Sequence, residues 1–160
     1  MLPPAYNDVL QIFQTPGYVA VHRELATNLP RIIPTDGRPH LSGGIRQWAG
    51  NSVGRWEGDT LVVETANFND SVAIQGSSGA LRVVERFTRV GADRIFYRFT
   101  VDDPTTWTQP WSAELPMVKT EGRLYEYGCH EGNHSLVNIL RGARVADKRA
   151  ADAAAPTIPK

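Results

Sequence analysis

Between Tyr125 and His134 the chain places two carboxylates (Glu126, Glu131), two imidazoles (His130, His134), the Cys129 thiol, two phenols (Tyr125, Tyr127) and the Asn133 carboxamide within ten residues. No other window of the sequence holds as much reactive side-chain chemistry. The simplest use is proton transfer. A histidine titrates near neutrality, and a neighbouring carboxylate can raise its pKa or fix its tautomer. His130 would then move a proton, Glu131 would orient it, and Tyr125 would donate a hydrogen bond, with no cofactor needed. Adjacent strand residues face opposite sides, so this pairing requires the strand to have ended by Cys129.

The same window fits the zincin pattern, His130-Glu131-Gly132-Asn133-His134, which puts two imidazoles on one metal when it lies on a helix. Gly132 and Asn133 are poor helix formers, and an amphipathic pattern begins only after Ser135, so no metal site is expected. Cys129 as a nucleophile would need a partnered imidazole and an electropositive setting. In the plainest account, Cys129 is a small buried hydrophobe, His130 and Glu131 satisfy loop backbone groups, and Asn133 caps a helix.

A second group lies in the loop Arg38 to Asn51, with His40, Arg46 and Trp48. Loops held by a rigid sheet commonly carry function, so His40 could be a second acid/base and Arg46 and Trp48 substrate contacts; the alternative for His40 is a solvated loop histidine. Trp107 and Trp111 flank a turn where they could frame an entrance, although aromatic side chains also simply fill cores. Asn133 joins Trp48, Arg46, Trp107 and Trp111 as a candidate substrate contact. Asp102-Asp103-Pro104 reads as turn chemistry rather than a calcium site, and Ser42-Gly43-Gly44 lacks the Lys-Ser or Lys-Thr pair of a phosphate loop.

What must position these residues follows from composition and periodicity. At 160 residues, with 41% hydrophobic and 21% charged residues, the chain suits one globular domain with a real core. Basic and acidic residues balance at 17 each, which disfavours nucleic acid and anionic membranes as partners. The single cysteine rules out an intramolecular disulfide or a multi-cysteine metal site. No apolar run approaches the roughly 20 residues of a membrane span, and the first residues lack the pattern of a signal peptide.

Apolar alternation predicts strands over Leu10 to Thr15 and Tyr18 to Glu24, joined at Pro16-Gly17, and a short third strand at Arg31-Ile32-Ile33. The strongest local signal is the hairpin Val53 to Thr65, whose Gly58-Asp59 supplies a tight primed turn. After a Ser/Gly/Asn-rich loop from Asn67 to Gly79 come strands Leu81 to Val90 and Arg94 to Asp102, the latter with Ile95, Tyr97, Phe99 and Val101 on one core face. A last pair, Trp111 to Lys119 and Arg123 to Cys129, carries a Pro116 suited to an edge or a bulge. From Ser135 the period becomes helical, with Leu136, Ile139, Leu140 and Ala143 in phase.

The segments Gly54 to Thr65, Val101 to Pro104 with Trp107, Pro110 and Trp111, and Tyr125 to Asn133 resemble a family of bacterial hypothetical proteins that often carry an export signal. The resemblance implies no activity. It implies a periplasmic or secreted setting, and an aromatic residue where this chain has His134, which would remove the second zincin ligand.

The expected fold is therefore mainly β, an antiparallel meander closed as a lipocalin-like up-and-down barrel over residues 1–149 with one C-terminal helix, followed by a disordered tail at 150–160. An open sheet or a sandwich is the alternative. The expected function is cofactor-independent acid/base chemistry on a small molecule (lyase, isomerase or hydrolase) with His130, Glu131, Tyr125 and His40. The alternatives are a non-catalytic carrier of a hydrophobic or aromatic ligand, and a metal-dependent hydrolase using His130, Glu131 and His134. An edge strand near Pro116 could pair two copies as a homodimer.

Overall fold

The computed structural model describes residues 9–24, 30–71, 76–124 and 132–154. Eight strands and one helix occupy these stretches: β1 Leu10–Thr15, β2 Tyr18–Arg23, β3 Arg31–Pro34, β4 Asn51–Glu57, β5 Thr60–Ala66, β6 Arg82–Arg89, β7 Arg94–Asp102, β8 Trp111–Val118 and α1 Ser135–Ala154. The chain divides into two compact units, residues 1–126 with all the strands and residues 127–160 with the helix.

The hairpins form where turn chemistry predicts them. Gly17 follows Pro16 at φ 78°, so Thr15 faces Tyr18 and β1 pairs β2 in register. Gly58 takes φ 59° ahead of Asp59, the pattern of a type II′ turn, and Glu57 faces Thr60 across it. The long pairs β5–β6, β6–β7 and β7–β8 are likewise antiparallel neighbours. Pro116 sits on β8, which is an edge strand among the described residues.

The strands do not form one meander. They make a three-stranded sheet, β1-β2-β3, and a five-stranded sheet, β4-β5-β6-β7-β8, both antiparallel, and among the described residues neither closes into a barrel. The break falls between β3 and β4, where residues 35–50 leave the sheet as a loop and return at β4, the edge of the second sheet. Of the expected strand Arg123 to Cys129, Arg123 and Leu124 are not in strand conformation, and 125–129 lie outside the described residues.

Both sheets feed one apolar core. Val19, Val21 and Ile33 enter it from the small sheet, while Leu61, Val63, Val83, Phe87, Tyr97, Phe99 and Val101 enter from the large one. The period-2 alternation of β7 holds: Tyr97, Phe99 and Val101 are buried, whereas Arg94, Phe96 and Arg98 are exposed. The sheets approach closely at Gly54, where a Cβ would lie 2.8 Å from Ile33 Cγ2 and 3.2 Å from Thr35 Cγ2. The opposite face of the large sheet is charged, with Arg55 bridging Glu64 and Glu57, Arg86 also on Glu57, and Arg98 near Glu114.

The helix α1 begins after Asn133, whose Oδ1 accepts a hydrogen bond from the Ser135 N–H at 3.1 Å. It runs to Ala154, into the Ala-rich stretch that its composition suggested as a tail, and alanine is the best helix former. No residue of α1 is buried, and Leu136, Ile139 and Leu140 are exposed. No helix among the described residues is long and apolar enough to cross a membrane.

Candidate functional site

Of the residues singled out for acid/base chemistry, Tyr125, His130 and Glu131 lie outside the described residues, as does Cys129. The described part of the zincin pattern is not helical: Gly132 takes φ 66°, and α1 starts only after His134. Two imidazoles at i and i+4 share a metal through helical spacing, and His130 and Glu131 lie outside the described residues. Among the described residues no group of three His, Cys, Asp or Glu side chains could hold a metal.

His40 and Arg46 hold loops together. His40 Nδ1 lies 3.0 Å from Asn51 Oδ1, which also accepts from the Leu41 N–H at 2.9 Å. Arg46 Nη1 donates to the carbonyl oxygens of Phe68 and Gly79 at 3.1 and 2.9 Å and to Asp70 Oδ1 at 3.2 Å. With Gln47 N–H to Asn67 O and Asn67 Nδ2 to Leu41 O, these bonds stitch the loop 35–50 to the loop after β5. Trp48 stands out from this loop, 69% exposed.

Trp107 and Trp111 are part of an aromatic series on the core face rather than an isolated rim. Trp107 meets Trp111 edge-on at 5.9 Å between centroids, Trp111 meets Phe99 at 5.7 Å, and Tyr97 and Phe87 continue the row. Asp103 organises the turn that carries them. Its carboxylate accepts from the N–H groups of Ser78 and Thr105 at 2.6 and 3.0 Å and from the hydroxyls of Thr105 and Thr106. Burial acts to raise the pKa of this carboxyl, but the hydrogen bonds from Ser78 and Thr105 overcome it and hold the group below the usual carboxylate range.

These loops share one end of the large sheet, where β4 begins, β5 ends, β6 begins, β7 ends and β8 begins. A concavity lies elsewhere. A half-open cleft of about 1520 Å³ runs between the small sheet and the other end of the large one, toward the turns at Gly58 and Gly91. Its walls are inward-facing side chains, including Leu10, Val21, Leu61, Phe87, Ile95 and Met117. The alternation of each strand makes them so: Leu10 and Ile12 share the face of Val21, and Leu61 pairs Phe87, which pairs Tyr97. None of His40, Arg46, Trp48, Trp107 and Trp111 lines this cleft, whereas Trp56 does.

Behind the cleft wall lies a polar network that apolar patterning alone does not predict. Arg31 on β3 pairs with Glu85 on β6 through Nη2 and Oε2, and donates to Thr65 Oγ1 at 2.7 Å and Ser52 Oγ at 2.9 Å. Tyr97 OH donates to Glu85 Oε1 at 2.9 Å. Burial pushes the Glu85 carboxyl up, but charged partners, Arg31 among them, outweigh it and keep the group ionised below the usual range. Burial first, then the Glu85 carboxylate, push the Tyr97 phenol well up, so it stays a donor. The available signal was Glu85 in the inward phase of β6, between Val83 and Phe87: a charge in an apolar series requires a partner.

A cleft larger than the roughly 300–1,000 Å³ of common ligand pockets, walled by aliphatic and aromatic side chains, can bury an extended apolar molecule. Its described lining holds no histidine or cysteine, and its polar groups are Gln11, Gln14, Thr120 and charged side chains toward the strand ends. Comparison of the chain with protein-family models, with curated proteins and with solved structures finds no match, which leaves the cleft geometry as the guide to function.

Proposed function

We propose that the protein is a carrier that binds a hydrophobic small molecule in the cleft between its two sheets. The observation that carries this is the continuity of apolar side chains from both sheets around one half-open space of about 1520 Å³. Burial of apolar surface at about 25 cal/mol per Å² makes such a space a binding site for any ligand that fills it. The logic is that of a lipocalin-like carrier, with two facing sheets in the place of a closed barrel.

The test is a titration with N-phenylnaphthylamine, an uncharged probe whose emission rises in apolar surroundings. Saturable binding is expected, with loss of the signal in Leu115→Glu, which places a carboxylate on the cleft wall while Leu115 itself is only half-buried. No saturable binding to the intact protein overturns the carrier.

One observation favours a second reading. Arg123 and Leu124, which immediately precede Tyr125 in sequence, line the cleft. If the protein transforms its ligand, Tyr125 is the acid/base group nearest to that wall along the chain, and Tyr125→Phe then removes turnover while leaving probe binding intact.

A further inference from the structure

The cleft is not uniformly apolar, and the exception has a sign. Among its described lining residues five are cationic (Arg23, Arg89, Arg94, Lys119, Arg123) and two are acidic (Asp59, Asp93), in a chain whose formal charge is zero. Two of the cations, Arg89 and Lys119, share the inward phase of their strands, while Arg94, in the outward phase of Phe96 and Arg98, reaches the cleft at its rim. Arg89 ends β6 and pairs Ile95; Arg94 opens β7 and pairs Val118; Lys119 follows β8, and its N–H bonds Asp93 O at 2.7 Å. They therefore share the turn end of the sheet, and Arg123 follows a few residues on along the same lining.

These cations are not neutralised equally. Lys119 lies 3.5 Å from Glu121, so its charge is largely spent. Among the described residues Arg89 is held by carbonyl oxygens, Nε to Gly91 O at 3.1 Å and Nη2 to Ala92 O at 3.5 Å, contacts that fix the guanidinium and leave its charge. Arg94 and Arg123 make no ion pair among the described residues. Arg89 also continues the inward face of β6 one step beyond Phe87, so the wall changes from aromatic to guanidinium within two residues.

We infer that the ligand is an amphipathic anion, an acyl or aryl chain ending in a carboxylate. Its apolar body lies along Leu61, Phe87, Ile95 and Met117, and its head group is held by Arg89 and Arg123, with Arg94 at the rim. Guanidinium groups suit this role because they stay charged and present planar donors that match a carboxylate. The assignment rests on the carrier proposed above and adds the chemistry of the ligand to it.

The test is competition against bound N-phenylnaphthylamine by dodecanoate, dodecanol and dodecyltrimethylammonium, on the intact protein and on the triple variant Arg89→Gln/Arg94→Gln/Arg123→Gln. Partly exposed ion pairs contribute up to about 1 kcal/mol each, so dodecanoate is expected to displace the probe about fivefold or more better than dodecanol. The cationic surfactant is expected to be the weakest competitor, and the triple variant to lose the preference while still binding dodecanol. Equal competition by dodecanoate and dodecanol, or a preference that survives in the triple variant, overturns the head-group assignment and leaves the apolar cleft standing. Failure of the probe itself to bind removes both.

Discussion

Arg31 and Glu85 join the two sheets through a buried ion pair, the Arg31 side chain 16% exposed and the Glu85 side chain 2%. Hydroxyls of Ser52, Thr65 and Tyr97 stand among the polar partners of the pair. Removing one member of a buried pair strands the other charge, which costs about 3–5 kcal/mol. Glu85→Gln and Arg31→Met are each expected to lower stability by that order in urea denaturation. Arg31→Met/Glu85→Leu/Tyr97→Phe, which removes both charges and the phenol together, is expected to recover part of the loss.

Acid should act on the same groups. The Glu85 and Asp103 carboxyls are held below their ordinary values of 4.5 and 3.8, so in the folded state both keep their protons off at pH values where the unfolded chain binds them. Their contribution is complete above about pH 5 and is lost progressively as the pH falls through and below the ordinary carboxylate range. Melting temperature measured between pH 7 and 3 is expected to fall with acid, and to fall less steeply in Asp103→Asn, whose starting stability is lower.

Gly54 sets how closely β3 can approach the large sheet. A side chain there meets Ile33 Cγ2 at 2.8 Å on a packed wall, so Gly54→Val is expected to cost about 1–3 kcal/mol as overpacking. Gly43→Val, at a position with nothing within 4 Å of an added Cβ, is the control expected to change denaturation little.

The loops flagged by their chemistry and the cleft lie at opposite ends of the large sheet. Trp48→Ala, His40→Ala and Arg46→Ala are therefore expected to leave N-phenylnaphthylamine affinity unchanged. Arg46→Ala should still raise amide exchange at Gln47 and Asn69, because the Arg46 bonds to Phe68 O, Asp70 and Gly79 O hold the two loops in register.

The strands were legible in the sequence because their signals are local. Pro16-Gly17, Gly58-Asp59 and the alternation of β7 each act within a few residues, and the elements stand where those signals put them. Closure was not legible, since whether β3 continues into the sheet of β4 depends on a loop returning from residue 35 to residue 50, and no local pattern reports where such a loop lands. The cleft between the sheets was missed for a related reason. It is assembled from Leu10, Val21, Phe87 and Met117, ordinary inward-facing apolar residues whose juxtaposition exists only after the two sheets face each other. Chemistry-rich residues such as His40 and Arg46 drew notice because of their type, although their bonds tie loops together.

The most direct test of the account is an amide chemical-shift map of the protein titrated with dodecanoate. The account predicts saturable shifts concentrated in residues 58–61, 87–95 and 115–119, around the cleft and its cationic end. Shifts concentrated instead in residues 38–51 and 67–71, or no saturable shifts at all, would contradict it.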